Sequence, residues 1–333
     1  MAFQIFKVNA YYSLCLFLYF LVSGTSAWFT WTLFNLTMST QGSTALASIL
    51  AAAISLVFLS LNFLGLLPLT NRSSNDSKTN KETHPYIWNF VTRVSKRIGV
   101  QPPAQIRLCN EVNAYASFHS GLIGLLKNDT KLTIGNPLIH EFTEQELTAI
   151  IGHELGHIKD VNAMRACCLA HEIEGIRYRT TNYLTSLIRE RIAKNKKITL
   201  LDIIALTILR PCELTINTIL RLPYLVARKA RDRLLEEMEI RADKEAAKLV
   251  GNETVLVTMQ LIQCLCEAAE TLASNAPGKI ESDSPIIRKK FQKKMQAIRK
   301  NGHKYLNKTK AVQQSYTEID PLWVRRIEIL KGN

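Results

Sequence analysis

Between Lys7 and Arg72 the chain has no charged residue and no histidine, and this stretch constrains the fold more than any other feature. Within it, Tyr11 to Phe34 and Thr44 to Leu67 are each predominantly apolar and about 24 residues long. A helix needs about 20 residues to cross the hydrocarbon core of a bilayer, and it satisfies its own backbone polar groups where no water can. Asn35 to Ser43 supplies a short polar turn between the two runs. Residues 1–70 are therefore expected to form a transmembrane hairpin with spans 11–34 and 44–67. A cleaved signal peptide is the other reading of the first run, because Thr25-Ser26-Ala27 could serve as a small-residue cleavage site. Against it, only one lysine precedes the run, and the apolar character continues through Trp28, Phe29, Trp31 and Phe34.

Basic residues set the orientation. Arg72, Lys78, Lys81, Arg93, Lys96 and Arg97 follow the second run, opposed by Asp76 and Glu82, whereas the turn between the spans carries none. The positive-inside rule then predicts a multi-pass integral membrane protein whose N-terminus and main domain face the cytoplasm. Seven cysteines, an odd number at spacings that match no zinc ribbon or secreted disulfide framework, fit reduced thiols on that side.

Residues 71–84 are rich in Ser, Asn and Lys and read as a linker, which leaves 85–333 for one globular domain. Ile87, Phe90, Val91, Val94 and Ile98 draw one apolar stripe on a helix that Gly99 ends. Gln105 to Cys109 and Lys131 to Ile134 are strand-like, with Asn113 to His119 beside them. The fold class expected is mainly α with a small β-sheet. An exposed strand edge there would bind an extended peptide through its backbone.

His153-Glu154-Leu155-Gly156-His157 carries the chemistry. On a helix, histidines at i and i+4 share a face and can share a metal ion, zinc being the usual occupant, and Glu154 lies where it can take a proton from a water in the open coordination position. Such a site hydrolyses peptide bonds. Leu147, Ile150, Ile151, Leu155 and Ile158 recur at helical spacing around it, and Thr143 with Glu146 reads as the capping box that starts the helix.

Catalytic zinc takes three protein ligands, so one more is needed. Residue 163, where a third histidine six positions on would stand, is alanine. Glu172 and Glu174 lie close behind the motif, but Glu239 is the better candidate. Asp243 sits four residues after it on the same helical face, where it can hydrogen-bond the second ring nitrogen of a ligand histidine. A solvated acidic helix over residues 236–243 is the competing reading. His119 and His140 read as ordinary loop histidines.

At this point the chain resembles the HtpX-like and Ste24-like membrane zinc metalloproteases, peptidase family M48, over roughly residues 86–333. Asn113-Ala114-Tyr115-Ala116 is similar to the family's strand bordering the substrate cleft, His153 to His157 to its zinc helix, and Glu239 to Asp243 to its third-ligand helix. Asp320-Pro321 through Arg326-Ile327 looks like its C-terminal His-Pro-Pro-x-x-x-Arg-Ile segment. The resemblance implies a gluzincin-type zinc metallopeptidase domain holding one zinc through His153, His157 and Glu239, with Glu154 as catalytic base. It also implies roles near the metal for Asp243, Arg326, Tyr115 and position 320. The family usually has histidine where this chain has Asp320, and an ionised aspartate cannot donate to an oxyanion, which leaves Arg326 and Tyr115 as donors. Asp320-Pro321 also reads as an ordinary helix start.

HtpX-like members carry a second pair of membrane helices where this chain has residues 161–233. Here Asp202, Arg210, Pro211, Glu213 and Arg221 interrupt the apolar signal, each central charge costing roughly 2.5–3.5 kcal/mol for insertion. Helices on the membrane surface or packed on the domain are expected, with a span over 200–227 as the alternative. The net charge of +14 is concentrated in Lys279 to Lys310, where eleven Lys/Arg face two acids. Residues 284–300 form a basic amphipathic pattern suited to anionic lipid, or to a solvated face packed on the core; with a membrane anchor, nucleic acid is not an expected partner.

The function expected is zinc-dependent endoproteolysis of protein or peptide substrates at the membrane, with misfolded or membrane proteins (quality control) as the class the HtpX resemblance implies. Two alternatives differ from it. One is a non-proteolytic membrane adaptor with structural zinc, and the other is a Ste24-like processing protease of lipidated proteins.

Overall fold

The structure, a computed structural model, describes residues 1–39, 77–118, 129–193, 200–274 and 321–332, with single positions 49, 127, 293 and 296. The expected second span (44–67), His119, the basic segment 284–300 and Asp320 lie outside the described residues, isolated positions apart. Within them the chain is mostly helical with one small mixed sheet. The helices are α1 (Ala2–Ser39), α2 (Pro85–Ile98), α3 (Asn136–Glu141), α4 (Glu144–Lys159), α5 (Val161–Ala193), α6 (Leu200–Val250), α7 (Asn252–Ser274) and α8 (Pro321–Lys331). The strands are β1 (Ser77–Lys78), β2 (Gln105–Cys109), β3 (Ala114–Phe118) and β4 (Thr130–Gly135).

The chain divides into two units. One comprises Met1–Arg72 and Ala166–Leu234. Its α1 is longer than the expected span, because no proline or charge pair stops the helix where the apolar run begins and ends. Residues Ala2–Leu36 make the one helix, among the described residues, long and apolar enough to cross a membrane. Val8, Tyr12, Cys15 and Tyr19, spaced four, three and four, bury one stripe of α1, while Phe6, Phe17, Trp28 and Trp31 stay exposed. Tyr12 meets Tyr224 of α6 edge to face, and its hydroxyl donates to Glu174 of α5, which also pairs with Arg231. From Ala166 on, the residues read as an insertion (161–233) thus group with the N-terminal helix, and 161–165 group with the other unit.

The other unit, Ser73–Arg165 and Leu235–Asn333, holds the sheet. Strand order is β1-β2-β4-β3: β2 and β4 run parallel, with Ile106 opposite Leu132, and β3 pairs antiparallel to β4, with Ala116 opposite Leu132. Ser77 and Lys78, read as linker, instead pair with Leu108 and Arg107. Backbone pairing makes this edge strand, joined by the Ser77 hydroxyl on the Leu108 carbonyl, and its two exposed polar residues gave no periodic signal. On α2 Phe90, Val91, Val94 and Ile98 of the expected stripe are buried and Ile87 is half-buried, and Gly99, at φ 81, ends the helix with its own N–H and that of Val100 on the Ser95 carbonyl. Only a residue tolerant of left-handed geometry closes a helix this way. Helix α4 packs against α2, β3 and α7 through Leu147, Ile150, Ile151 and Leu155, all buried. Each such side chain contributes about 1.5–3 kcal/mol on removal from water.

Candidate metal centre

Helix α4 begins at the expected capping box: Thr143 accepts from the Glu146 backbone N–H, and the Glu146 carboxylate accepts from the Thr143 N–H at 2.7 Å. This fixes the helical phase that aims His153 and His157 the same way. Their rings meet edge to face with centroids 4.8 Å apart. Helix α6 brings Glu239 to them because the two helices approach closely where α4 has no side chains. A Cβ on Gly156 would lie 2.8 Å from the Ala242 Cα, and one on Gly152 would lie 2.8 Å from Leu249 Cδ1 and 3.4 Å from the Ala246 Cα. Glycines four apart on α4 therefore face alanines four apart on α6. Sequence reasoning missed this device, although small residues at i and i+4 on both helices were its visible signal.

An exposed helical glycine gains about 1 kcal/mol on replacement by alanine. At Gly156 the opposite sign is expected: Gly156→Ala should lower stability by about 1–3 kcal/mol through overpacking. It should also weaken metal binding at least about 10-fold by moving Glu239 from the histidines. Thermal unfolding and chelator competition check both, and an unchanged affinity would mean that the close crossing does not position the ligand.

Among the described residues, one group of at least three His, Cys, Asp or Glu could hold a metal ion, and it consists of His153, His157 and Glu239. The His153 and His157 Nε2 atoms are 3.2 Å apart, Glu239 Oε2 is 3.3 Å from His153 Nε2, and Glu239 Oε1 is 3.4 Å from His157 Nε2. Tetrahedral coordination with bonds of about 2.0–2.1 Å requires ligand atoms about 3.3–3.4 Å apart, so the donor set fits such a cation. Glu172 and Glu174 are not in this group; Glu174 is held by Tyr12 and Arg231. His140, on α3, is also outside it.

Around these three stands a second layer. Asp243 accepts from His153 Nδ1 at 2.9 Å, which turns Nε2 to the cluster. Arg326 of α8 forks onto Asp243 through Nε (2.7 Å) and Nη2 (2.8 Å), and its Nη1 reaches Glu239 Oε2 at 3.0 Å. Ile327 and Leu330 of α8 are buried, Leu330 in a cluster with Ala149, Ala246, Val255 and Met259. Arg325 adds an ion pair to Glu236. The C-terminal helix is thereby tied to both helices that carry the cluster.

The electrostatics favour a cation. Burial opposes charge on His153, yet its hydrogen bonds to Asp243 and Glu239 and the nearby carboxylates outweigh this and push it up to about 10. Burial would raise Glu239, but its hydrogen bonds to the two histidines hold it well below the usual carboxylate range. Asp243 is likewise lowered, burial being overcome by Arg326 and His153. A field that holds a proton so firmly also favours a metal ion in its place.

Glu154 is raised by burial, with the histidines and a backbone hydrogen bond opposing. That bond runs from the Ala116 N–H to Glu154 Oε2 at 2.9 Å. Among the described residues β3 is a sheet edge, and Asn113 accepts from the Gly135 N–H on the β4 side. By the alternation of an antiparallel ladder, Tyr115, opposite Thr133, also faces β4, whereas Ala114 and Ala116 turn their backbone groups to the open edge. The edge strand thus reaches the Glu154 carboxylate through its backbone, a contact no side-chain motif could announce.

Comparison with known proteins follows the same lines. The model of peptidase family M48 matches residues 81–333. The protease HtpX of Haemophilus influenzae is 24% identical over 191 residues, 56% of this chain and 62% of that protein. The HtpX homologues of Leptothrix cholodnii and Sulfurisphaera tokodaii are each 31% identical, over 84 and 93 residues, about a quarter of each chain. The chain thus spans from a quarter to about three fifths of the curated relatives it matches. No solved structure matches it. With its family match covering about three quarters of its length and the two-histidine, one-glutamate cluster inside that match, the chain belongs to peptidase family M48, a family of metallopeptidases.

Proposed function

We infer that this chain is a membrane-anchored zinc endopeptidase of gluzincin type. The observation that carries the reading is the donor triad of His153, His157 and Glu239, with edges of 3.2–3.4 Å, beside a Glu154 carboxylate that is not one of its members. A zinc ion held there supplies Lewis acidity for the scissile carbonyl and for water. Every other task falls to the chain. Glu154, raised by burial and oriented by the Ala116 N–H, takes a proton from the attacking water and returns it to the leaving amine. Asp243 holds His153 in the tautomer that presents Nε2. Arg326 balances the two carboxylates and fixes their rotamers, a positioning role rather than that of a free oxyanion donor. With the Ala116 N–H held by Glu154, the backbone groups of Ala114 and the Ala116 carbonyl offer an extended substrate a strand edge, so many sequences can bind through backbone hydrogen bonds.

Purified protein in detergent should cleave unfolded casein, lose that activity on chelation and regain it with zinc. Chelator-insensitive cleavage, or none in zinc-loaded protein, overturns the reading; intact zinc without cleavage would favour an adaptor. Misfolded or membrane proteins are the substrate class the resemblance implies.

The exposed apolar face of α1 supports an anchor in the bilayer. In sealed vesicles, a cysteine introduced at Ser43 should label from the non-cytoplasmic side and cysteines at Ser77 and Gly332 from the cytoplasmic side. The reverse pattern, or all three on one side, would reject the hairpin orientation.

A further inference from the structure

Side chains alternate along a strand, and partners across a ladder share a face. Ile106, Leu132 and Ile134, all buried, lie on one face of the sheet. The other face carries Lys78, Arg107, Thr133 and Tyr115 in one row and Gln105, Lys131 and Ser117 in the next. Thr133 is 0% exposed, yet its hydroxyl oxygen has no hydrogen-bond partner, and neither has the buried hydroxyl oxygen of Ser117 on the diagonal. A buried hydroxyl without a partner forfeits the bonds it had in water, so two on one face are kept against stability. Lys78, Arg107 and Lys131 give the same face three positive charges, and none of the four strands contains an acidic residue.

We propose that this face is a docking surface for the phosphates of an anionic bilayer, with the three basic side chains meeting the charge and the Thr133 and Ser117 hydroxyls donating to phosphate oxygens. This rests on the membrane-anchored reading and not on peptide hydrolysis. Thr133 is short beside Arg107 and Tyr115, so its hydroxyl lies at the floor of its row. Arg107 runs along β2, where its Nε donates to the Gln105 side-chain oxygen at 3.1 Å. Turned outward, its guanidinium can fork onto a phosphate and give the anion access to the floor. The spread of charge selects a bilayer over a soluble ion. The cations stand on β1, β2 and β4, adjacent strands about 5 Å apart, which suits a plane of phosphates. Each Lys or Arg held near such a surface strengthens attachment about 5-fold at low salt. In sequence, β1 begins ten residues after Leu67, so a connection of about 36 Å at most ties it to the end of the expected second span.

The test uses the full chain in nanodiscs of phosphatidylcholine, with or without about 30% phosphatidylglycerol to supply the anionic surface. Lysine acetylation is followed residue by residue through peptide mass spectrometry. Lys78 and Lys131 should react at least about 3-fold more slowly in the anionic discs, and about 0.5 M salt should abolish the difference by screening. Lys244, exposed on α6, should react equally in both. Arg107→Gln and Thr133→Val should each remove at least about half of the protection. Thr133→Val keeps the side-chain shape and deletes the orphaned donor, so it should also raise the unfolding temperature in detergent. Weaker docking in a more stable protein is not what misfolding produces. Equal rates in the two discs, slowing that extends to Lys244, or protection indifferent to both substitutions overturns the docking surface. Protection reproduced by inorganic phosphate in phosphatidylcholine discs overturns it in favour of a soluble-anion site. A chain that does not enter the discs refutes the anchor and the docking surface together, whereas incorporation with equal acetylation refutes the docking surface alone.

Discussion

Glu154→Gln is expected to lower proteolysis by about 100-fold or more while zinc stays bound, because general acid–base catalysis contributes roughly 10²–10⁴ in rate. Glutamine has the size of glutamate, and its amide oxygen can still accept from the Ala116 N–H, so the contact between β3 and α4 survives. What it lacks is basicity. Burial raises the Glu154 carboxyl from its ordinary range, which brings it nearer the affinity a group needs to take and return a proton within one turnover. Since Glu154 is outside the donor triad, metal content measured by atomic absorption should match the wild type. Equal cleavage by the variant would remove Glu154 from the reaction.

Loss of Arg326 should have the largest effect on the scaffold. Its guanidinium binds Asp243 by two hydrogen bonds and Glu239 by an ion pair, so Arg326→Leu leaves two largely buried carboxylates facing each other. Breaking a buried pair by deleting one partner costs about 3–5 kcal/mol. Metal affinity should fall about 10–100-fold as Asp243 loses its hold on His153. A bound cation offsets part of the excess negative charge, so the stability loss should be larger in chelator-treated protein than in zinc-loaded protein. Arg326→Lys restores the charge but not the fork, and it should recover stability only in part. Denaturant unfolding with and without zinc reads these differences, and equal losses in both states would mean that Arg326 acts by packing alone.

The elements readable in advance are those whose cause is local. Thr143 and Glu146 start α4, the apolar spacing up to Ile158 carries it, and Gly99 ends α2 through backbone geometry that only a few residues tolerate. Other elements depend on residues distant in sequence. Ser77 and Lys78 become a strand because β2 lies beside them. The acidic run of residues 236–243 is compatible with a solvated helix face until Gly152 and Gly156 let α6 close on α4, bringing Glu239 and Asp243 to the histidines. Glu174, closer in sequence to the motif, is held instead by Tyr12 of a helix 162 residues away. The backbone donor from Ala116 leaves no trace in residue type.

Zinc K-edge X-ray absorption on the purified chain should report one open zinc site made by His153, His157 and Glu239. One zinc per chain is expected, with two imidazoles and only oxygen otherwise, all at about 2.0–2.2 Å, and a spectrum that changes when an inhibitor occupies the remaining position. Glu239→Ala should abolish or strongly reduce that zinc, and Glu174→Ala should not. A sulfur shell near about 2.3 Å, or four protein ligands with no response to inhibitor, would contradict it.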